Sequence, residues 1–147
     1  MKDFDPIDIL IVEDNPHDAE LTIRALKKQN LANNIFLVED GAEALDFIFC
    51  RGPYEKRKFS NPPKVIFLDL KLPKVNGLEV LKEIKANPNT KKLPVVVVSS
   101  SKEDPDIKTA YELGANSYVV KPVDFDNFVE AMSNTGMFWL LVNESPR

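Results

Sequence analysis

Short apolar runs alternate along the chain with segments whose apolar residues recur at helical spacing. Runs rich in β-branched residues and bounded by turn-forming residues are typical of strands that are buried on both faces of a sheet. Five such runs occur, at residues 7–12, 35–38, 65–68, 95–98 and 117–120. The run of four valines at 95–98 is the most strand-like of these.

A segment with helical periodicity follows each run. In the first, Ala19, Ile23 and Leu26 lie on one helical face, and Pro16 suits the first turn. The other predicted helices cover residues 41–49, 78–87, 107–113 and about 124–141. Gly114 directly follows the fourth helix and is a favourable residue to end it.

Five strands that alternate with five helices predict an α/β fold: a doubly wound, five-stranded parallel sheet with helices on both faces. The 147 residues fall within the usual size of one domain. No internal repeat is apparent. We therefore expect a single domain over 1–147 with a core at about 6–142, and no output domain, because the last predicted helix ends near Leu141.

Residues 52–63 interrupt the alternation of strands and helices. This segment contains three prolines and the consecutive basic residues Lys56, Arg57 and Lys58. Proline-rich segments between periodic elements are usually loops. We expect an exposed loop with solvated basic side chains, which could also meet an acidic partner.

Composition excludes several classes of function. The net charge of −4 does not suit a nucleic-acid-binding protein, which needs clustered basic residues on one face. No apolar run approaches the length that crosses a bilayer, and the acidic N-terminus lacks the apolar segment of a secretory signal. The single Cys50 cannot form an internal disulfide, which fits a reducing compartment. We expect a cytoplasmic protein.

Polar residues with complementary chemistry follow four of the predicted strands. They are Glu13, Asp14, Asp69, Ser99 and Lys121. Parallel strands share one direction, so these side chains should converge at the edge where ligands bind in open parallel sheets.

Three carboxylates at one edge require a compensating charge. At 4 Å each pair repels by about 4 kcal/mol at an effective dielectric constant of 20. A hard divalent cation offsets this repulsion, and carboxylate oxygens together with a phosphate suit Mg²⁺. Asp69 is then the natural nucleophile for a phosphoryl group, because a carboxylate can form an acyl phosphate. Lys121 and Ser99 can bind the phosphoryl oxygens.

The chain resembles the response-regulator receiver domains of bacterial two-component signalling over essentially its whole length. This resemblance implies a flavodoxin-like fold of five βα units. It rests on Glu13-Asp14, Asp69-Leu70-Lys71-Leu72-Pro73 with Gly77, Ser99 and Lys121-Pro122, each at a successive strand end.

The resemblance implies a role for each site residue. Asp69 would be the phosphoacceptor and a ligand of Mg²⁺. Asp14 would bind the metal directly, Glu13 mainly through a water, and Lys71 through its backbone carbonyl. Such a protein is not a conventional enzyme, although it assists its own phosphorylation and dephosphorylation.

The resemblance also implies a conformational switch. Ser99 and Tyr118 would form the switch pair, in which the hydroxyl turns toward the phosphoryl group and the ring moves inward. The peptide bond between Lys121 and Pro122 is cis in this family.

Three less specific sequence features are similar to those of the small regulators that partner cyanobacterial and other bacterial phytochromes. They are the insertion at 52–63, the stretch Asp69-Leu70-Lys71-Leu72-Pro73-Lys74, and Phe138-Trp139. The implied partners are a sensor histidine kinase of phytochrome or hybrid type and a downstream protein or phosphorelay partner. Homodimers through helix four, strand five and helix five are frequent in this group. Phe138 and Trp139 could form an interface or pack on the protein's own surface.

Ordinary structural explanations compete with these roles. Glu13 and Asp14 favour the N-terminus of the following helix, and Asp69 could cap a loop. Ser99 begins a run of three serines, Lys121 could be a surface lysine, and Tyr118 could be a half-buried strand residue. Their joint placement at strand ends favours the functional interpretation.

Two other functions use some of the same residues. A phosphatase with an aspartate nucleophile typically needs a second acid two residues later, where this chain has Lys71. A degenerate receiver that acts without phosphorylation would lack an acid or the lysine. A P-loop enzyme is excluded because its glycine-lysine motif is absent.

Overall fold

A computed structural model describes residues 7–28, 34–100 and 103–135. The strands are β1 (Ile9–Val12), β2 (Ile35–Val38), β3 (Val65–Asp69), β4 (Val95–Ser99) and β5 (Ser117–Val120). The helices are α1 (Pro16–Lys28), α2 (Gly41–Ile48), α3 (Gly77–Ala86), α4 (Pro105–Glu112) and α5 (Phe125–Thr135). A short 3-10 helix spans Gly52–Tyr54.

The five strands form one parallel sheet in the order β2-β1-β3-β4-β5. This is the strand order of flavodoxin-like doubly wound sheets, in which the ligand crevice lies between β1 and β3 at their carboxyl ends. The predicted fold class is confirmed. Every residue of β1, β3 and β4 is buried, as the continuous apolar runs predicted.

Helices cover both faces of the sheet. On one face α2, α3 and α4 cover alternate strand residues, and Phe47, Leu81 and Leu68 belong to the same buried apolar cluster. On the other face α1 and α5 cover the intervening residues, and the ring of Phe128 stacks on that of Phe67 at 5.8 Å. In the described part of the chain, no helix is both long and apolar enough to cross a bilayer.

Two predicted starts differ from the structure by two residues. β1 begins at Ile9 and not at residue 7. α4 begins at Pro105, before the predicted 107, because the side chain of Asp104 caps the helix and proline suits its first turn. The predicted helix end near Leu141, with Phe138 and Trp139, lies outside the described residues.

The prediction of a solvated basic segment is wrong for Arg57. Lys56 and Lys58 are exposed, but Arg57 is only 7% exposed. Its guanidinium carbon lies 3.8 Å from the centre of the Phe47 ring. One nitrogen donates to the backbone carbonyl of Phe47, and the other donates to the carbonyl of Asn61 at 3.2 Å. The cation therefore binds the C-terminal end of α2, where carbonyl groups lack helical partners, and fastens the 52–63 segment to it.

Replacement of Arg57 by alanine should destabilise the fold by about 2–4 kcal/mol, because it removes the ring contact and the charged donor to two backbone carbonyls. The matched replacement Lys58→Ala, on the exposed side of the same segment, should cost no more than about 0.5 kcal/mol. Urea unfolding of the two variants measures the difference. Equal stabilities would show that Arg57 does not fasten this segment.

Candidate functional site

The site lies at the carboxyl edge of the sheet, between β1, β3, β4 and β5. Glu13 and Asp14 directly follow β1, Asp69 ends β3, Ser99 ends β4 and Lys121 directly follows β5. The common direction of the strands brings all five groups to this edge.

Three carboxylates form the acidic part of the site. One carboxylate oxygen from each of Glu13, Asp14 and Asp69 lies within 4.8 Å of the others. Glu13 and Asp69 are buried, at 5% and 4% exposure, whereas Asp14 is exposed. Oxygen ligands from buried and exposed carboxylates fit a hard divalent cation that keeps some of its water.

Lys121 supplies positive charge to the same cluster. Its ammonium nitrogen lies 2.9 Å from Asp69 Oδ2 and 3.0 Å from Glu13 Oε1. Burial alone would lower the pKa of Lys121, but the hydrogen bonds that its ammonium donates to Asp69, Glu13 and Asp18 outweigh this effect and raise it. Lys121 therefore stays charged. The Lys121–Pro122 peptide bond is cis, in agreement with the expectation.

Asp18 is a third carboxylate partner of Lys121 that the sequence reasoning missed. It lies in the first turn of α1, and its Oδ2 is 3.0 Å from the lysine nitrogen. The three donors of the ammonium group thus meet three carboxylates. The only sequence signal was an acidic residue near the predicted start of a helix that follows the first strand.

The charge of Glu13 is strongly disfavoured by its surroundings. Burial, followed by the hydrogen bond and the charge of Asp69, raises its pKa to about 7, although Lys121 acts in the opposite direction. Near neutral pH, a proton therefore competes with any cation for this carboxylate.

The position of Asp69 depends on a close approach of the following helix. Asp69 Oδ1 accepts a hydrogen bond from the backbone N–H of Lys71 at 3.0 Å, and Gly77 N–H donates to the carbonyl of Leu70. A Cβ at Gly77 would lie 2.4 Å from the backbone oxygen of Asp69. Only glycine allows α3 to begin there.

The predicted role of the Lys71 carbonyl as a metal ligand stays a prediction.

Ser99 and Tyr118 lie on adjacent strands. Ser99 is buried, and its hydroxyl donates to Asp104 Oδ2 at 3.2 Å. Tyr118 is half-buried on β5, and its ring meets that of Tyr111 edge-on at 6.2 Å. The sequence reasoning gave Asp104 no role, because its side-chain contact depends on how α4 is capped.

An open cavity of about 400 Å³ adjoins the acidic cluster. Asp14 lies on one side, the loop after β3 with Lys71 and Pro73 on another, and Asp106 of α4 on a third. The cavity gives a donor molecule room to approach the cluster.

The family model for the response regulator receiver domain matches residues 9–133. The chain is 38% identical over 132 residues to response regulator Rcp1 of Synechocystis, which covers 90% of this chain and 88% of that protein. It is 37% identical over 142 residues to the probable methanogenesis regulatory protein FilR2 of Methanothrix harundinacea, which covers 97% and 89%.

Solved structures agree with these relatives. The bacteriophytochrome response regulator RtBRR superposes with a TM-score of 0.85 at 48% identity, over 95% of this chain and 84% of that one. The Mn²⁺-bound form of Rcp1 gives a TM-score of 0.74 at 36% identity, over 97% and 100%.

The raised pKa of Glu13 predicts a pH-dependent effect of its replacement by glutamine. The folded protein holds the Glu13 proton up to about pH 7, whereas the unfolded chain releases it near 4.5. Glu13 therefore makes the metal-free protein less stable as pH rises between these values. The stability of Glu13→Gln relative to wild type should increase by about 1–3 kcal/mol from pH 5 to pH 8.

Urea unfolding in the presence of a chelator measures this difference. The control variant Glu20→Gln, on the exposed surface of α1, should keep a constant difference from wild type across the same range. Parallel pH curves for Glu13→Gln and wild type would contradict the raised pKa.

Proposed function

Because this chain belongs to the response regulator receiver domain family, whose general function is phosphorylation on an aspartate, we propose that Asp69 accepts a phosphoryl group from a sensor histidine kinase. The observation that carries this assignment is the contact of Lys121 with Asp69 at 2.9 Å, inside a cluster of three carboxylates at the ligand-binding edge. Asp69 is the member of this cluster that ends the central strand.

Asp69 is oriented before a donor arrives. The Lys71 N–H holds Oδ1 and the Lys121 ammonium holds Oδ2. In the proposed reaction a carboxylate oxygen of Asp69 attacks phosphorus, a P–O bond forms, and the P–N bond of the donor phosphohistidine breaks. The electron pair of that bond stays on the imidazole, which leaves. Lys121 then binds an oxygen of the transferred group, and Ser99 donates its hydroxyl proton to another.

Receiver domains bind Mg²⁺ or Mn²⁺ at an acidic pocket, and the cluster of carboxylates fits a divalent metal. We assign Mg²⁺ to Glu13, Asp14 and Asp69, with the Lys71 carbonyl as a further ligand. When bound, the cation supplies positive charge that offsets the phosphoryl oxygens.

Receiver domains of response regulators interact with sensor kinases and with downstream partners. A phytochrome-type kinase is the proposed donor, supported by the similarity to a bacteriophytochrome response regulator. The cytoplasm is the proposed location.

The proposed output face consists of α4, β5 and α5, and it could also serve a homodimer. Tyr111 on α4 is 44% exposed and contacts Tyr118 of the proposed switch pair. Phosphorylation would shift a two-state equilibrium that reshapes this face.

The chain acts in signalling, as its family does. We propose that it is a phosphoacceptor and not a conventional enzyme, because Lys71 stands where an aspartate-nucleophile phosphatase typically carries its second acid. Sustained hydrolysis of a generic phosphomonoester would contradict this assignment.

Incubation with acetyl phosphate and Mg²⁺ should add one phosphoryl group to the wild-type chain, detected by intact-mass spectrometry. Asp69→Asn should add none, because an amide is not a nucleophile for phosphorus under these conditions. The control Asp46→Asn, whose carboxylate pairs with Arg51 away from the site, should be labelled like wild type. An unlabelled wild type, or equal labelling of Asp69→Asn, would overturn the assignment.

A further inference from the structure

One carboxylate connects the candidate site to the start of α4. Asp104 Oδ2 accepts the hydroxyl proton of Ser99 at 3.2 Å, and its Oδ1 accepts the backbone N–H of Asp106 at 2.9 Å. The second contact caps α4. At the same end of the helix, Ile107 N–H donates a hydrogen bond to the Asp104 carbonyl at 3.1 Å. Asp104 therefore ties the end of β4 to the first turn of α4.

A serine hydroxyl has a single hydrogen to donate. In the structure the Ser99 hydroxyl donates to Asp104 Oδ2. In the phosphorylated protein the same hydroxyl would donate to a phosphoryl oxygen on Asp69. We propose that Asp104 is a positioning residue that competes with the phosphoryl group for the Ser99 hydroxyl and so opposes the switch in the unphosphorylated protein. This inference rests on the proposed function.

The geometry suits a contact that breaks during switching. A distance of 3.2 Å is long for a hydroxyl donor to a carboxylate. The phosphoryl oxygens carry more negative charge than one carboxylate oxygen, so they are the stronger acceptors. The hydrogen bond thus favours the unswitched conformation but does not prevent the Ser99 hydroxyl from turning to the phosphoryl group.

Release of Asp104 would reach the proposed output face through α4. The first turn of this helix holds a second contact with the site, between Asp106 Oδ2 and the ammonium of Lys71 at 3.7 Å. The last turn carries Tyr111, whose ring meets that of Tyr118. A change at the cap of α4 is therefore connected to both the phosphoacceptor loop and the switch tyrosine.

Beryllofluoride, which mimics a phosphoryl group on a carboxylate, provides the test. Its affinity in the presence of Mg²⁺ is measured by calorimetry for wild type and for Asp104→Ser, in which serine still caps the helix but its side chain is one bond too short to hold Ser99 as well. The affinity of Asp104→Ser should be roughly 3- to 10-fold higher, because the competing acceptor is gone. Asp104→Asn, a second capping variant that lacks the carboxylate, should change in the same direction.

Two further variants separate this role from a structural one. Ser99→Ala removes the donor, so Asp104→Ser should have no effect on affinity in that background. Asp40 caps α2, where its Oδ1 accepts the Glu43 N–H at 2.7 Å. The control variant Asp40→Ser changes this cap and should leave the affinity for beryllofluoride unchanged.

Unchanged or weaker binding by both Asp104 variants would overturn the inference. An increase that persists in the Ser99→Ala background would overturn it as well, because the effect would not pass through Ser99. Failure of wild type itself to bind beryllofluoride would contradict the proposed function, and this outcome is read from the wild-type titration alone.

Discussion

The ion pairs of Lys121 are the interaction on which the site depends. A sheet edge that gathers Glu13, Asp14 and Asp69 within 4.8 Å accumulates repulsion that no folded protein maintains without compensation. The ammonium of Lys121, placed between Glu13, Asp18 and Asp69, compensates part of it. The surroundings still disfavour the charge of Glu13: burial first, and then the hydrogen bond and the charge of Asp69, raise its pKa to about 7, so the cluster retains a deficit of positive charge. The same deficit explains why a divalent cation fits there.

The parallel sheet makes this arrangement possible. Lys121 and Glu13 are far apart in sequence, but β5 and β1 end at the same edge. The neighbouring strands β1 and β4 hold β3, and with it Asp69, in position. The Lys71 N–H and the Lys121 ammonium orient its carboxylate. Apolar packing thus holds charged groups at distances they would not adopt alone, and a divalent cation can relieve the resulting repulsion.

The sequence was sufficient for the fold and for the residues at the strand ends, because both follow from periodicity and from the common direction of parallel strands. It was not sufficient for Asp18 or Asp104, whose contacts depend on the rotation and capping of a helix, or for Arg57, whose burial depends on the path of a long loop. The guanidinium of Arg57 lies over the Phe47 ring and donates to two backbone carbonyls. Such partners are set by tertiary packing, which leaves no periodic signal.

The most direct test of the account is a crystal structure of the protein with Mn²⁺, whose position is located by anomalous scattering. The account predicts one strong peak within coordination distance of Asp14 and Asp69, with Glu13 ionised beside it and the Lys121 ammonium still bound to the cluster. A saturating concentration of Mn²⁺ that gives no peak among these carboxylates, or a peak only elsewhere on the surface, would contradict the claim that their mutual repulsion builds a cation site.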